Sequence, residues 1–400
     1  MSLFRFELRK LMLNKKTLII LGAMLILYAG VGFGTSYFIV GDGEAYKTYA
    51  DLARPLAGPV NAEYAGVAME SYETAKERYG NNEEAIYYGT SGDPVLKFDV
   101  DYAHFVGHVD EYYNGAPFDS LFAPYGVNVL QSRLTELEQS GQTGGFEYRS
   151  TRDQLNREVA LGEPQFANTL EWGNLFANWG DTLTLFLLFI PLLFIISPVF
   201  SMEASTGMDN LILSSRNGRR KIVAAKIAAV VVTAVAILAM YLLATFVFGF
   251  LSVGTLEGAN AALRSVPDYV RAPLGFSNAG FTAVSALWLL LSGTVFALIV
   301  SFISSRLKSQ IAVCGASLVV LLLNIGIAAL GTTIQNMIQP VVDFGVASFA
   351  LVGSVFTQYK VYNVFGMVVP YHVMLIVFLV LVAGLTSFGM FWGQKKRTVA

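Results

Sequence analysis

Apolar residues dominate long stretches of this chain, and polar residues gather in the segments between them. Six stretches are apolar over about 20 residues or more, namely 17–40, 182–201, 222–252, 281–303, 310–331 and 370–393. Each is long enough to cross a bilayer core of about 30 Å as a helix. Acidic and basic residues stand only near their ends, as expected where a mid-membrane charge costs about 2.5–3.5 kcal/mol or more. The pattern predicts an all-α integral membrane protein with six transmembrane helices.

The composition excludes an ordinary soluble protein. Charged residues make up 14% of the 400 positions, whereas soluble domains carry about 25%. The single cysteine, Cys314, lies within a predicted span, so no intramolecular disulfide is expected. An exported domain without cysteines fits a bacterial cell surface.

Basic residues divide the polar segments into two groups. Fifteen lysines and arginines lie in four of them, which are 1–16, 202–226, 304–309 and 394–400. The two short loops between the later spans hold only three, and these loops are 253–280 and 332–369. Because short cytoplasmic loops carry the basic excess, both termini and the strip at 202–226 are predicted to face the cytoplasm.

The N-terminal residues 1–16 have apolar side chains on one face of a helix and basic ones on much of the rest. They predict an amphipathic helix at the inner membrane surface, with a frayed basic tail as the alternative. The run 17–40 is longer than the 7–15 residues of a signal-peptide core, so it is predicted to be a retained transmembrane anchor. Gly30 and Gly34 in this run are spaced for close helix contact.

The segment 41–181 is then extracellular. It holds nine basic and 23 acidic residues, a net charge of −14. Apolar residues recur at helical spacing in 60–79 and 126–139. Clusters of glycine and proline predict breaks between short elements at 89–94, 114–117 and 141–145. We expect a large, mainly helical extracellular domain between the first and second spans.

A few residues stand out in and beside the spans. Pro191 and Pro198 predict a broken second span, which either borders a transport path or serves packing alone. Asn324 in the fifth span predicts an interhelical hydrogen bond or a substrate contact. Trp172 and Trp179 are expected in the aromatic belt at the outer interface.

No catalytic motif is visible. The nearest approach to a nucleotide-binding loop, GDGEAYKT at 41–48, has Tyr46 where glycine is needed. The serine-hydrolase motif Gly-x-Ser-x-Gly does not occur. His104 and His108, with Asp101 nearby, suggest a zinc pair without a third convincing ligand, so no metal is predicted. Scattered basic residues give no support to nucleic-acid binding.

Six residues of the strip at 203–226 form a recognisable pattern, namely Glu203, Gly207, Leu211, Leu213, Arg219 and Lys226. Through these positions the strip resembles the first cytoplasmic loop of type-2 ABC transporter permeases. The N-terminal helix is similar too, through Glu7, Arg9, Lys10 and Leu11. Six spans, cytoplasmic termini and the loop 332–369 complete the likeness. Three residues depart from the family pattern, and these are Met208 for Thr, Arg216 for Pro and Ala225 for Gly.

The resemblance implies that 202–221 is a coupling loop, in which residues 204–215 form a helix seated on a separate ATPase subunit. ATP and magnesium would bind to that partner, so this chain would be no enzyme and hold no cofactor. Glu203 and Arg219 would pair with each other or with the partner. The resemblance also implies export across a plasma membrane, lipid contact, and assembly with a second copy or a related permease.

Two other interpretations stay open. The loop is an ordinary solvated connection if its arginines only set topology. The chain is a non-transporting sensor or immunity protein if its acidic extracellular domain captures a cationic peptide. A membrane-embedded enzyme ranks third, because no ionisable residue lies deep in the spans. The substrate does not follow from the sequence.

Overall fold

The computed structural model describes residues 2–40, 42–60, 94–114, 126–180, 182, 185–208, 220–328 and 338–396. These residues are mostly helical, as expected for an all-α membrane protein. In chain order the α-helices are α1 (Leu3–Met12), α2 (Lys15–Val40), α3 (Gly43–Ala53), α4 (Pro94–Asn114), α5 (Val127–Gln139), α6 (Phe146–Leu161), α7 (Leu170–Gly180), α8 (Ile190–Ile196), α9 (Pro198–Ser205), α10 (Lys221–Val253), α11 (Asn278–Ser304), α12 (Gln310–Ala328), α13 (Gln339–Asp343), α14 (Val346–Ala350), α15 (Val352–Phe356) and α16 (Tyr371–Lys396).

Strands are few and short in the described residues. They form two antiparallel pairs, β1 (Gly58–Pro59) with β2 (Gln165–Phe166) and β3 (Val361–Val364) with β4 (Met367–Pro370). The second pair is a hairpin whose turn residues Phe365 and Gly366 both have positive φ, the combination that a tight two-residue hairpin requires.

Five helical stretches in the described residues are long and apolar enough to cross a membrane. They are Lys15–Thr35, Phe186–Ser205, Lys221–Val253, Asn278–Ser304 and Tyr371–Gly393. The chain is therefore a multi-pass membrane protein. The predicted span 310–331 corresponds to α12, whose apolar part Gln310–Leu323 is shorter, and residues 329–331 lie outside the described residues. The sixth span stays a prediction.

The helix α10 is the central element of the bundle and packs against α1, α2 and α11. At 33 residues it is about 50 Å long, so it extends beyond a bilayer core of about 30 Å. It ends at Gly254, which adopts a left-handed conformation. The close contact with α2 occurs at Gly32, where a Cβ would lie 2.8 Å from the Thr245 carbonyl oxygen. Among the described residues, nothing lies within 4 Å of the Cβ position of Gly30, so the close contact predicted at Gly30 stays a prediction.

The second span is broken, as its prolines predicted. It consists of a π-helical turn (Leu185–Phe189) followed by α8 and α9. Pro191 and Pro198 each lie at the start of a helical segment, where proline is tolerated. The Tyr28 hydroxyl of α2 donates to the Leu187 carbonyl, 2.7 Å away, so a neighbouring helix stabilises the wider turn.

The described part of segment 41–181, which we call the loop domain, is mainly helical. The predicted helix at 126–139 is confirmed as α5, and the break predicted at 141–145 lies between α5 and α6. The break predicted at 114–117 stays a prediction, because residues 115–117 lie outside the described residues. Residues 61–79 and 89–93 lie outside the described residues. An aromatic cluster fills the core of the domain, and its buried members include Tyr46, Tyr49, Phe98, Phe105, Tyr112 and Phe166.

The aromatic-belt prediction for Trp172 and Trp179 was wrong. Both side chains are 2% exposed. The Trp172 indole donates to the Glu257 carbonyl at 2.7 Å, and the Trp179 indole donates to the Thr245 hydroxyl at 2.9 Å. Their polar N–H groups therefore find partners inside the protein rather than at a lipid interface.

The two basic residues of the loop 253–280, the buried Arg264 and the partly buried Arg271, attach this loop to the loop domain. Arg264 lies 3.0 Å from the Glu158 carboxylate, with both side chains at most 5% exposed. Arg271 pairs with the fully buried Glu111. These cations, counted in the sequence only as markers of topology, are structural members of buried ion pairs.

Replacing Arg264 with alanine is expected to destabilise the loop domain by about 3–5 kcal/mol, because Glu158 becomes an uncompensated buried charge. Thermal unfolding of the purified chain in detergent measures the change. Arg54→Ala is the matched control, since the Arg54–Glu257 pair is exposed and such pairs contribute little. Equal melting temperatures for the two variants would contradict the structural role.

The loop domain is also expected to lose stability in mild acid through His108. Burial, reinforced by nearby His104 and Arg271, lowers the pKa of His108 from 6.5 to about 3. Between these values the unfolded chain binds a proton that the folded chain does not. The contribution of neutral His108 to stability is therefore present above pH 6.5. The free energy of unfolding falls as pH decreases, by about 2 kcal/mol between pH 7 and 5.

Melting temperatures at pH 7 and pH 5 test this expectation. His108→Gln should be less sensitive to acid than the unsubstituted chain, whereas His104→Gln, on the same helix, should keep the sensitivity. The account of His108 is wrong if its substitution leaves the pH dependence unchanged.

Candidate functional site

Four charged side chains converge at the end of the second span, where the strip at 203–226 begins. We call this strip the polar strip. Glu203, on the last turn of α9, is buried and accepts hydrogen bonds on one oxygen, Oε1, from two lysines. The Lys10 Nζ lies 2.6 Å away and the Lys226 Nζ 2.8 Å away. Glu7 completes the group, with its Oε2 atom 3.4 Å from the Lys226 Nζ. We call Glu7, Lys10, Glu203 and Lys226 the ion cluster.

Lys226 is the centre of the ion cluster. Its side chain is 1% exposed, and its Nζ also donates to the Val199 carbonyl at 2.6 Å. The ammonium lies 5.0 Å from the centre of the Phe200 ring. Glu203 and the Val199 carbonyl accept hydrogen bonds from the Lys226 ammonium, and Glu7 adds a second carboxylate at ion-pair distance. Protein groups therefore compensate the buried charge.

The ion cluster is electrically balanced, with two carboxylates and two ammonium groups. A buried ion costs several kcal/mol unless partners compensate it, and removal of one partner leaves the others with that cost. Each member therefore fixes the positions of the rest. Because the members come from α1, α9 and α10, the cluster joins three separate helices.

The sequence of α1 explains how Glu7 and Lys10 reach the site. Ser2 caps the helix by accepting from the Arg5 N–H at 3.4 Å. Glu7 and Leu11, four residues apart, share one face and are both buried. The predicted membrane-surface helix thus packs one face on the protein, while the opposite side exposes Phe6.

Of the six residues that the family resemblance assigned to coupling with the ATPase, the structure brings two into contact. Glu203 and Lys226 meet in the ion cluster, and Gly207 follows α9 with a φ of +72°. Leu211, Leu213 and Arg219 lie outside the described residues, so a helix at 204–215 stays a prediction. Glu203 accepts hydrogen bonds from Lys10 and Lys226. Its pairing with Arg219 stays a prediction, because Arg219 lies outside the described residues.

The assignment of Pro191, Pro198 and Asn324 to a translocation path stays a prediction. Pro191 and Pro198 lie at the starts of α8 and α9. Asn324 lies in α12, but its side chain is outside the described part of the structure. The polar groups around Pro198 are bound by Ser304 of α11, which supports the packing interpretation of that break.

Glu7 and Lys10 were matched to the family pattern but were not predicted to join the site. A signal for them exists in the sequence. Glu7 is the one acidic residue of a basic amphipathic segment, and it stands on the apolar face. A carboxylate on a face that packs inward needs a buried cation.

The suggested zinc pair does not gain a third ligand. The rings of His104 and His108 lie 4.7 Å apart. Asp101 instead pairs with Lys97 and accepts from the Tyr49 hydroxyl at 3.1 Å. Among the described residues, no three metal-ligating side chains lie close enough together to hold an ion.

Comparison with known protein families finds one match over nearly the whole chain. The family model described as ABC-2 family transporter protein matches residues 1–388. No curated protein and no solved structure matches the chain. The match includes every member of the ion cluster.

Replacing Lys226 with methionine is expected to destabilise the protein by about 3–5 kcal/mol, because two buried carboxylates then share the single cation Lys10. Lys221→Met is the control, since Lys221 begins the same helix but is exposed. Thermal unfolding of both variants in the same detergent measures the difference.

Adding Glu203→Gln to Lys226→Met should restore part of the lost stability, because it removes one of the uncompensated charges. Independent, additive losses in the double variant would show that Glu203 and Lys226 do not depend on each other.

Proposed function

The chain belongs to the ABC-2 family of transporter proteins, and from this premise we propose that it is the permease subunit that couples ATP hydrolysis to export. The family and the long apolar helices support a multi-pass membrane component of an ABC transporter. Members of this family work with an ATPase subunit. ATP and magnesium are accordingly assigned to that partner.

The ion cluster is the observation that carries the proposed coupling. The polar strip begins at the end of α9 and ends at the start of α10, and Glu203 and Lys226 lie 2.8 Å apart at these two points. A force on the strip therefore reaches both spans at once. The bond from Lys10 to Glu203 extends that connection to α1.

We assign contact with the ATPase to the strip itself. In this proposal Gly207, Leu211 and Leu213 form the apolar contact, and Arg219 supplies a charge at its edge. Closure of the ATPase would push the strip, and the buried ion pairs would transmit the push because separating them exposes uncompensated charges to an apolar surrounding. The basic residues of the strip support its cytoplasmic location.

The working assembly in this proposal contains two permeases and two ATPase subunits in a bacterial plasma membrane. Export is the direction that the family resemblance implies. The exposed apolar side chains of α2 and α16, such as Ile26 and Leu385, support contact with lipid or with the second permease. The apolar lining of the spans suits an amphipathic cargo.

A cytoplasmic ATPase is expected to co-purify with the chain in mild detergent. Arg219→Glu should weaken its retention or its coupling about tenfold, because a like charge is placed opposite the surface that Arg219 contacts. The measurement is the amount of bound ATPase and the hydrolysis rate of the complex. Lys308→Glu, a reversal at an exposed cation in the next polar turn, should change neither.

Failure to retain any ATPase, with no ATPase encoded beside the gene, would contradict the transport proposal. Equal losses from Arg219→Glu and Lys308→Glu would show a general effect of charge and would contradict a specific contact between Arg219 and the ATPase.

The charge of segment 41–181 favours a second candidate, a non-transporting sensor or immunity protein that captures a cationic peptide. Segment 41–181 carries a net charge of −14, and its exposed acidic residues include Glu44, Asp51, Glu138 and Glu163. Two results together would favour this candidate over the permease. The chain in vesicles would bind a cationic peptide in a salt-sensitive manner, and its activity in cells would not depend on ATP.

A further inference from the structure

The backbone hydrogen-bond pattern of the second span is interrupted at Ser197, between α8 and α9, while the Ser197 dihedral angles stay helical. This residue is completely buried. Pro198 has no N–H, so the carbonyl of Phe194 loses its usual helical donor. The Ser197 hydroxyl donates to that carbonyl at 3.3 Å. Inside a membrane such groups must find partners within the protein. The break therefore depends on side chains for its hydrogen bonds.

One hydroxyl group from another helix forms hydrogen bonds with the backbone groups at the break, and we call this arrangement the seal. The Ser304 Oγ donates to the Ser197 carbonyl at 2.7 Å. It accepts from the N–H groups of Phe200 and Ser201, each at 3.1 Å. A serine hydroxyl has one donor and two acceptor positions, so its full capacity is used here. Ser304 thus acts as a cap for the first turn of α9, although it belongs to α11.

The remaining polar contacts at the break also come from side chains. The Ser201 hydroxyl donates to the Ser197 carbonyl at 2.8 Å, which occupies the second lone pair of that oxygen. The Gln310 amide of α12 lies 3.5 Å from the Ser197 hydroxyl. The helices α11 and α12 therefore meet the second span at this point, and serine and glutamine side chains join them.

The two sides of the break are attached to different parts of the protein. Above it, the Tyr28 hydroxyl of α2 holds the π-helical turn through the Leu187 carbonyl. Below it, α9 carries Glu203 into the ion cluster with Lys10 and Lys226. A displacement of the polar strip consequently acts on α9 first. Such a displacement breaks the hydrogen bonds that join Ser304 to the first turn of α9.

We propose that the Ser197–Pro198 break is a hinge sealed by the Ser304 hydroxyl, on which α9 swings together with the ion cluster. Ser304 is then a positioning residue for transport, because it holds α9 at rest and releases it when the strip moves. The link to transport rests on the proposed function. The hinge itself is a property of this chain alone.

Hydrogen–deuterium exchange on the purified full chain in nanodiscs tests the seal. Ser304→Ala should raise exchange at the Phe200 and Ser201 amides on the order of tenfold, with α8 unchanged. Ser301→Ala is the matched control, since Ser301 is equally buried on the same helix but donates to the Met390 sulfur. Unchanged exchange in Ser304→Ala, or an equal rise in Ser301→Ala, would overturn the proposal.

The swing of α9 is measured separately with two spin labels, at Met202→Cys and Lys308→Cys, after Cys314→Ser. Pro198→Ala restores the missing N–H and should narrow the distance distribution, whereas Ser304→Ala should broaden it. Equal widths in all variants would overturn the hinge. Neither measurement needs an ATPase. Evidence against the permease function would therefore not contradict the hinge, and evidence against the hinge would not contradict the permease function.

Discussion

The buried charge of Lys226 is the constraint on which the end of the helix bundle beside the polar strip depends. An ammonium that is 1% exposed requires anionic and carbonyl partners. Those partners come from α1, which supplies Glu7, and from α9, which supplies Glu203 and the Val199 carbonyl one turn before it. The requirement of one side chain thus determines where three helices meet, and it places the ends of the polar strip beside each other.

The same rule explains the other irregular regions of the protein. Every polar group taken out of water needs a partner. The break at Pro198 is satisfied by Ser304, the π-helical turn by Tyr28, and the buried Glu158 by Arg264. In each case the partner lies on an element distant in sequence. Such contacts hold the irregular second span in one arrangement and still leave places where it can bend.

The sequence predicted the apolar helices well, because about 20 uninterrupted apolar residues have few alternatives to a membrane helix. It predicted Glu203 and Lys226 only through family resemblance. Their mutual contact, and the parts of Glu7 and Lys10, depend on the packing of α1 against α10, which periodicity does not determine. Trp172 was misassigned for a related reason, since its indole N–H fits equally well at a lipid interface or against a buried carbonyl.

The central claim is that the ion cluster acts as one unit between the strip and the spans. A double-mutant cycle of Lys10→Met and Glu203→Gln, measured as the ATP hydrolysis rate of the purified complex, tests it most directly. A unit predicts strong coupling, in which the double variant loses no more activity than Glu203→Gln alone. Independent losses that multiply in the double variant would contradict the account.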